Sequence, residues 1–215
     1  MFEVRKSIRR YRDDPAWTYR KKARDYLATF DRGGYPFSLG PQGNGIRDLL
    51  QGNLHGQEVC LFHLNAWRRT GGSNRATVAH KFSVAVLPLR RVLPATAFTS
   101  SRLSWCAQEW NLPALPRDAG RSTDLPDLGT HRVDCCSVDP AFAALINTYA
   151  MERLMHKACM GWRIEENRMI GWTQGRKTYE ELLSLAETLA TIISDFPEQA
   201  WRWPGTRGTS PRDRG

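Results

Sequence analysis

The sequence has no apolar run approaching the ~20 residues of a membrane-spanning helix, so no span is expected. It also lacks C-x-x-C spacing. Cys60, Cys106, Cys135, Cys136 and Cys159 are odd in number and scattered. That pattern argues against a disulfide framework and for reduced thiols in a cytoplasmic protein. The glycine-rich Gly40–Gly45 is not followed by Lys-Ser/Thr and does not sit between a strand and a helix, which excludes a phosphate or dinucleotide loop. No apolar h-region follows the basic N-terminus, so no secretory leader is expected. Repeats are missing as well.

What the chain does have is charge, placed unevenly. Of a net +9, residues 1–24 supply nine basic against three acidic residues, and residues 202–215 supply four against one. The stretch 25–201 is left with 18 of each sign. A high pI here describes the ends of the chain, not a charged groove through its body. Val4, Ile8 and Tyr11 fall at i, i+4, i+7 beside a stripe of Arg5, Arg9 and Arg12, which predicts a short basic amphipathic helix. Asp14-Pro15 then predicts a second helix, ended by Gly33-Gly34.

The middle reads as a meander. Ile46–Leu54 and Glu58–Trp67 are strands about a His55-Gly56 turn, and the second is apolar on both faces, which suggests a central position. Ala76–Leu87 alternates as a strand, whereas Pro88 and Pro94 bracket a weaker one ending near Phe98, expected at an edge. Residues 105–129, rich in proline and glycine, predict a long surface loop.

The last third organises the rest. It reads as a strand (His131–Val138), then a helix opened by Asp139-Pro140 with Phe142, Leu145, Ile146, Tyr149, Ala150 and Leu154 along its buried stripe. A hairpin follows, its loop Glu166-Asn167-Arg168 placing Trp162 opposite Trp172 and Ile164 opposite Ile170. The final helix opens on a capping box, Thr178-x-x-Glu181. Three segments result: a basic helical segment over 1–34, a single α+β domain over 35–203, and a tail over 204–215 that is disordered by composition. The expected fold is a mostly antiparallel sheet, made of the central meander and the Trp hairpin, packed by two amphipathic helices.

V-D-P-A-F-A entering a helix, then W-R-I-E-x-x-x-x-I-G-W, then a leucine-rich helix closing on F-P-E-x-x-W, resembles a group of uncharacterised actinobacterial proteins over residues 45–201. The resemblance implies the fold. Members of that group often carry transmembrane segments ahead of the domain, where this chain has a short basic segment, and no catalytic residue is implied.

Reactive constellations are sparse. His131 and Cys135 share a strand face, but four residues at ~3.3 Å each separate them by about 13 Å. Cys135 and Cys136 therefore read as buried thiols. His55, Cys60 and His63 do not make a tetrahedral metal set, because Cys60 and His63 point to opposite faces. His80 reads as a hydrogen-bonded core histidine. No cofactor, metal or catalytic residue is expected. The candidate site is the basic cluster Arg5, Lys6, Arg9, Arg10, Arg12, Arg20, Lys21, Lys22 and Arg24. It suits an anionic membrane surface, with Val4, Ile8 and Tyr11 dipping toward the headgroups, or the phosphates of nucleic acid. The expected function is a non-catalytic binding or scaffold domain, peripheral to the inner membrane surface. Sequence-nonspecific nucleic-acid binding and a thiol-dependent enzyme or redox protein are the alternatives. No protein partner is named by the sequence.

Overall fold

The backbone forms one eight-stranded sheet with a core on each of its faces. The computed structural model describes residues 2–30, 36–37, 45–69, 77–103, 112–114 and 133–204. Its strands are β1 (Thr18–Lys22), β2 (Gly45–Leu54), β3 (Gln57–Arg69), β4 (Thr77–Pro88), β5 (Thr96–Ser100), β6 (Val133–Ser137), β7 (Met160–Glu165) and β8 (Arg168–Gln174). Every pairing is antiparallel, in the order β1-β2-β3-β4-β8-β7-β5-β6. The helices are α1 (Phe2–Arg12), α2 (Arg24–Leu27), α3 (Pro140–Ile146), α4 (Tyr149–Ala158), α5 (Tyr179–Ser194) and α6 (Glu198–Trp201). The fold is α+β, as expected.

Local chemistry accounts for most of these boundaries. His55 and Gly56 both take positive φ, 52° and 85°, the twist a two-residue hairpin needs between Leu54 and Gln57. Asp139 caps α3 by accepting from the Phe142 amide at 3.1 Å, with Pro140 at the first helical position. Thr178 and Glu181 close the capping box on α5, at 2.8 and 3.3 Å. β3 is buried on both faces. Val59 and Leu61 join a helix-side core with Leu182, Leu189 and Trp162, while Phe62 and Leu64 join a second core with Phe30, Phe37 and Trp172.

Several expectations are corrected. The expected second helix over 15–33 is replaced by β1, paired to β2, and by the single turn of α2. The segment 1–34 is therefore partly sheet, because Thr18, Tyr19 and Arg20 find backbone partners in Gln51, Leu50 and Leu49. The helix expected from residue 140 breaks after Ile146. Thr148 starts α4 afresh by accepting from the Met151 amide at 3.2 Å. The break shifts the helical phase, so Met151 and Met155 are fully buried while Leu145, Tyr149 and Leu154 are half-buried and Ala150 is exposed. β5 is no edge strand; it lies between β7 and β6 with all five residues buried.

The hairpin register also differs from expectation. Its loop has two residues, Glu166 and Asn167, so Glu165 faces Arg168 and each tryptophan faces a glycine. Trp172 lies opposite Gly161, and Trp162 opposite Gly171. A Cβ on Gly161 would come within 2.6 Å of the Trp172 ring, and one on Gly171 within 2.7 Å of the Leu189 side chain. The two indoles occupy opposite faces of the sheet and anchor the two cores separately. The loop expected over 105–129, apart from 112–114, and the tail beyond Pro204 lie outside the described residues.

Candidate functional site

The basic cluster is supported by α1 and by the edge strand β1. α1 has a single fully buried residue, Ser7. Its hydroxyl accepts from the Tyr179 amide at 2.8 Å and donates to the Glu180 carboxylate at 2.6 Å. The Tyr179 amide is the first of α5 and has no intrahelical partner, so a side chain from another helix satisfies it. Tyr11 adds edge contacts to the rings of Tyr179 (5.4 Å) and Trp17 (6.0 Å), and Ile8 packs against the helix-side core. This corrects the picture of Val4, Ile8 and Tyr11 lying free for lipid, since Ile8 and Tyr11 are occupied by the protein.

The cations face the other way. Arg5, Lys6, Arg9, Arg10 and Arg12 on α1 are all exposed, as are Lys21, Lys22 and Arg24; Arg20 is half-buried. Three of the nine are paired. Arg12 holds Asp13 at 2.7 Å, Arg20 holds Asp25 at 2.8 Å, and Arg10 reaches Glu180 at 3.5 Å. The hydrogen bonds from Arg12 and Arg20 hold the Asp13 and Asp25 carboxyls below the usual aspartate range. Arg5, Lys6, Arg9, Lys21, Lys22 and Arg24 make no ion pair among the described residues. The structure thus places the cluster on one helix and the strand and turn beside it.

Beneath this surface lies a polar centre that the sequence reading missed. β2 carries one extra residue between Arg47 and Leu50 relative to β3, and Asp48 in that bulge takes a φ of 53°. The turn swings its carboxylate inward, where it is 9% exposed. Oδ1 accepts from the Tyr19 hydroxyl of β1 at 2.7 Å, and Oδ2 pairs with Arg176. The Nδ1 of His63, on β3, lies 3.6 Å from Oδ2, and its Nε2 donates to the Lys177 carbonyl at 2.8 Å. The Asp48 carbonyl accepts from the Tyr179 hydroxyl at 2.6 Å.

The electrostatics of the centre follow from its partners. Burial by itself would raise the Asp48 carboxyl. The nearby His63 ring, the Tyr19 hydroxyl and the Arg176 charge outweigh that and hold it below the usual range. Burial, with the same carboxylate adding to it, pushes the Tyr19 and Tyr179 hydroxyls up. Both nitrogens of His63 face groups already in use, one a carbonyl and one a paired carboxylate. The centre ties β1, β2, β3 and the start of α5 together. The available signal was a carboxylate and an imidazole set in strands whose neighbours are apolar, Ile46 and Leu49 on β2, Phe62 and Leu64 on β3.

Other candidates are separated by the fold. His55 is exposed at the β2–β3 turn, 3.7 Å from Glu187, and Cys60 packs against the core on the face opposite His63. Among the described residues no three His, Cys, Asp or Glu side chains are placed to hold a metal. His80 stacks beside Phe82 at 6.3 Å. Cys135 and Cys136 lie in the edge strand β6. Burial pushes the Cys136 thiol up to about 12 and raises that of Cys135 further, so neither is a thiolate at neutral pH. A half-open cleft of about 370 Å³ lies between the β2–β3 turn and the second half of α5, floored by Leu54, Val59, Leu87 and Ala190. Among the described residues no helix is long and apolar enough to cross a membrane.

No protein-family profile matches the sequence, and no curated protein matches it. Among solved structures, the crystal structure of the mycobacterial trehalose monomycolate transport factor A, TtfA, is similar with a TM-score of 0.56 at 11% identity. The match covers 91% of this chain and 95% of that one. At that identity the likeness concerns the fold.

Proposed function

We propose, from a fold shared with a transport factor and from the cations gathered on α1 and β1, that the protein is a non-catalytic binding or scaffold domain. It docks peripherally on the anionic inner surface of a membrane. One observation carries the reading: Arg5, Lys6, Arg9, Lys21, Lys22 and Arg24 are exposed on adjoining elements and lack carboxylate partners among the described residues. Basic residues held near an anionic leaflet contribute roughly 1 kcal/mol each, so six together support reversible, salt-sensitive attachment. Ile8 and Tyr11 of α1 are committed to the protein, which leaves Phe2 as the exposed large apolar side chain beside the cations and makes the contact mainly electrostatic. That a protein of similar fold is a trehalose monomycolate transport factor supports a binding role at the level of fold.

Sedimentation with phosphatidylglycerol-containing vesicles tests the proposal. The full chain should be recovered with anionic vesicles and not with neutral ones. Recovery should fall as salt is raised, and should be lost when the six cations are changed to Gln. Equal recovery of the wild type and the six-fold variant would refute it. Duplex DNA offered in the same assay covers the competing phosphate-bearing partner, and retention by DNA without retention by vesicles would favour that reading.

A further inference from the structure

Asp48 is a point where several supports of the basic face meet the sheet. β1 is an edge strand, paired only to β2, and its Tyr19 ends on the Asp48 carboxylate. The segment leading into α5 is held there too, through Arg176, and its Lys177 carbonyl is held by His63. Tyr179, the first residue of α5, bonds the Asp48 carbonyl and at the same time offers its ring to Tyr11 and its amide to Ser7 of α1. The groups facing the carboxylate thus come from β1, β3, the β8–α5 connection and α5. The backbone that presents Asp48 is in the left-handed region, which side chains other than glycine adopt at a cost and which persists where the surroundings enforce it.

We infer that Asp48 is a positioning residue for the basic face: its carboxylate and carbonyl lock β1 and the start of α5 into one arrangement, and without the negative charge β1 and α1 loosen from a sheet that is otherwise intact. The inference rests on the basic face being the binding surface. It adds to that reading a buried acid, away from the surface, on which attachment depends. Tyr19 and Arg176 act with it, each removing one link between Asp48 and an outer element.

Asp48→Asn in the full chain tests this, because Asn tolerates the same backbone conformation while removing the charge and turning one of the two accepting oxygens into a donor. Residue-resolved amide hydrogen exchange should accelerate about tenfold or more over Thr18–Lys22 and α1, while the β3 and β4 amides keep their protection. A uniform loss of protection would mean general destabilisation and overturns the inference. Should Asp48→Asn fail to fold, Tyr19→Phe removes one hydroxyl and should give the same local pattern at smaller size; unchanged β1 exchange in that variant overturns it too. Anionic-vesicle recovery of Asp48→Asn should fall several-fold at unchanged salt dependence of the wild type. If β1 loosens and recovery is unchanged, the link between the buried acid and the surface is wrong. If the wild type itself is not recovered with vesicles, the membrane reading fails, and the exchange data alone decide whether Asp48 holds the face together.

Discussion

Ser7→Ala isolates the join between α1 and the rest of the molecule. The substitution removes an acceptor from the Tyr179 amide and a donor from Glu180. These losses differ in size. Tyr179 is fully buried, and an amide left without a partner there costs about 1–3 kcal/mol. The Glu180 side chain is about half exposed, so water replaces the lost hydroxyl at a cost of a few tenths to about 1 kcal/mol. The expected total is about 2 kcal/mol, or roughly 4–8 °C in Tm for a domain of this size. A ceiling applies, because α1 can leave its seat and let water reach the amide. The loss then equals whatever docking of α1 is worth, and Ser7→Ala combined with Tyr11→Ala should be less than additive. Thermal melts of the single and double variants, with hydrogen exchange over Phe2–Arg12, measure both quantities. A Tm within about 1 °C of wild type and unchanged α1 protection would refute the claim that this hydroxyl keys α1 to α5.

Gly171→Ala should cost about 1–3 kcal/mol by driving a methyl into Leu189, and Leu189→Ala in the same chain should recover part of that loss in chemical denaturation. The Asp48 carboxyl is lower in the folded state than in the unfolded one, so its stabilisation is complete above the ordinary aspartate range and disappears as pH falls through the folded value. Tm measured on acidification from neutral pH should therefore fall less steeply in Asp48→Asn than in wild type, and parallel profiles would contradict the assignment. Cys135 and Cys136 should react with a maleimide only slowly at neutral pH in the native protein and rapidly once it is unfolded, and fast native labelling would reverse the view that burial silences them.

Legibility in the sequence followed how local the deciding interaction is. The His55-Gly56 turn, the Asp139-Pro140 start and the Thr178–Glu181 box are settled within four residues of chain, and each stands where the sequence puts it. The burial of β3 on both sides was legible because its apolar residues do not alternate. β1 was not. Thr-Tyr-Arg-Lys-Lys carries little strand signal, and its extended form comes from pairing with β2, some thirty residues later. The hairpin register turned on which residue each indole could tolerate opposite it, and matching Trp to Trp was misleading because both faces of the sheet are covered. The break at Asn147 was hidden by an apolar pattern that continues past it, although Thr148 supplies a cap. The cations of the candidate surface could be read directly, whereas Asp48 could not, since its role depends on a bulge that turns a strand acid inward.

The position of the β7–β8 hairpin has a consequence for how the chain assembles. β4 and β5 follow one another in sequence, yet two later strands lie between them in the sheet. Until those strands arrive, the growing meander ends on an open, apolar β4 whose partner β8 is still to come. Pairings that span so much chain form slowly, and an open edge of that kind invites pairing with other chains. Fragments stopped ahead of Met160 should therefore aggregate.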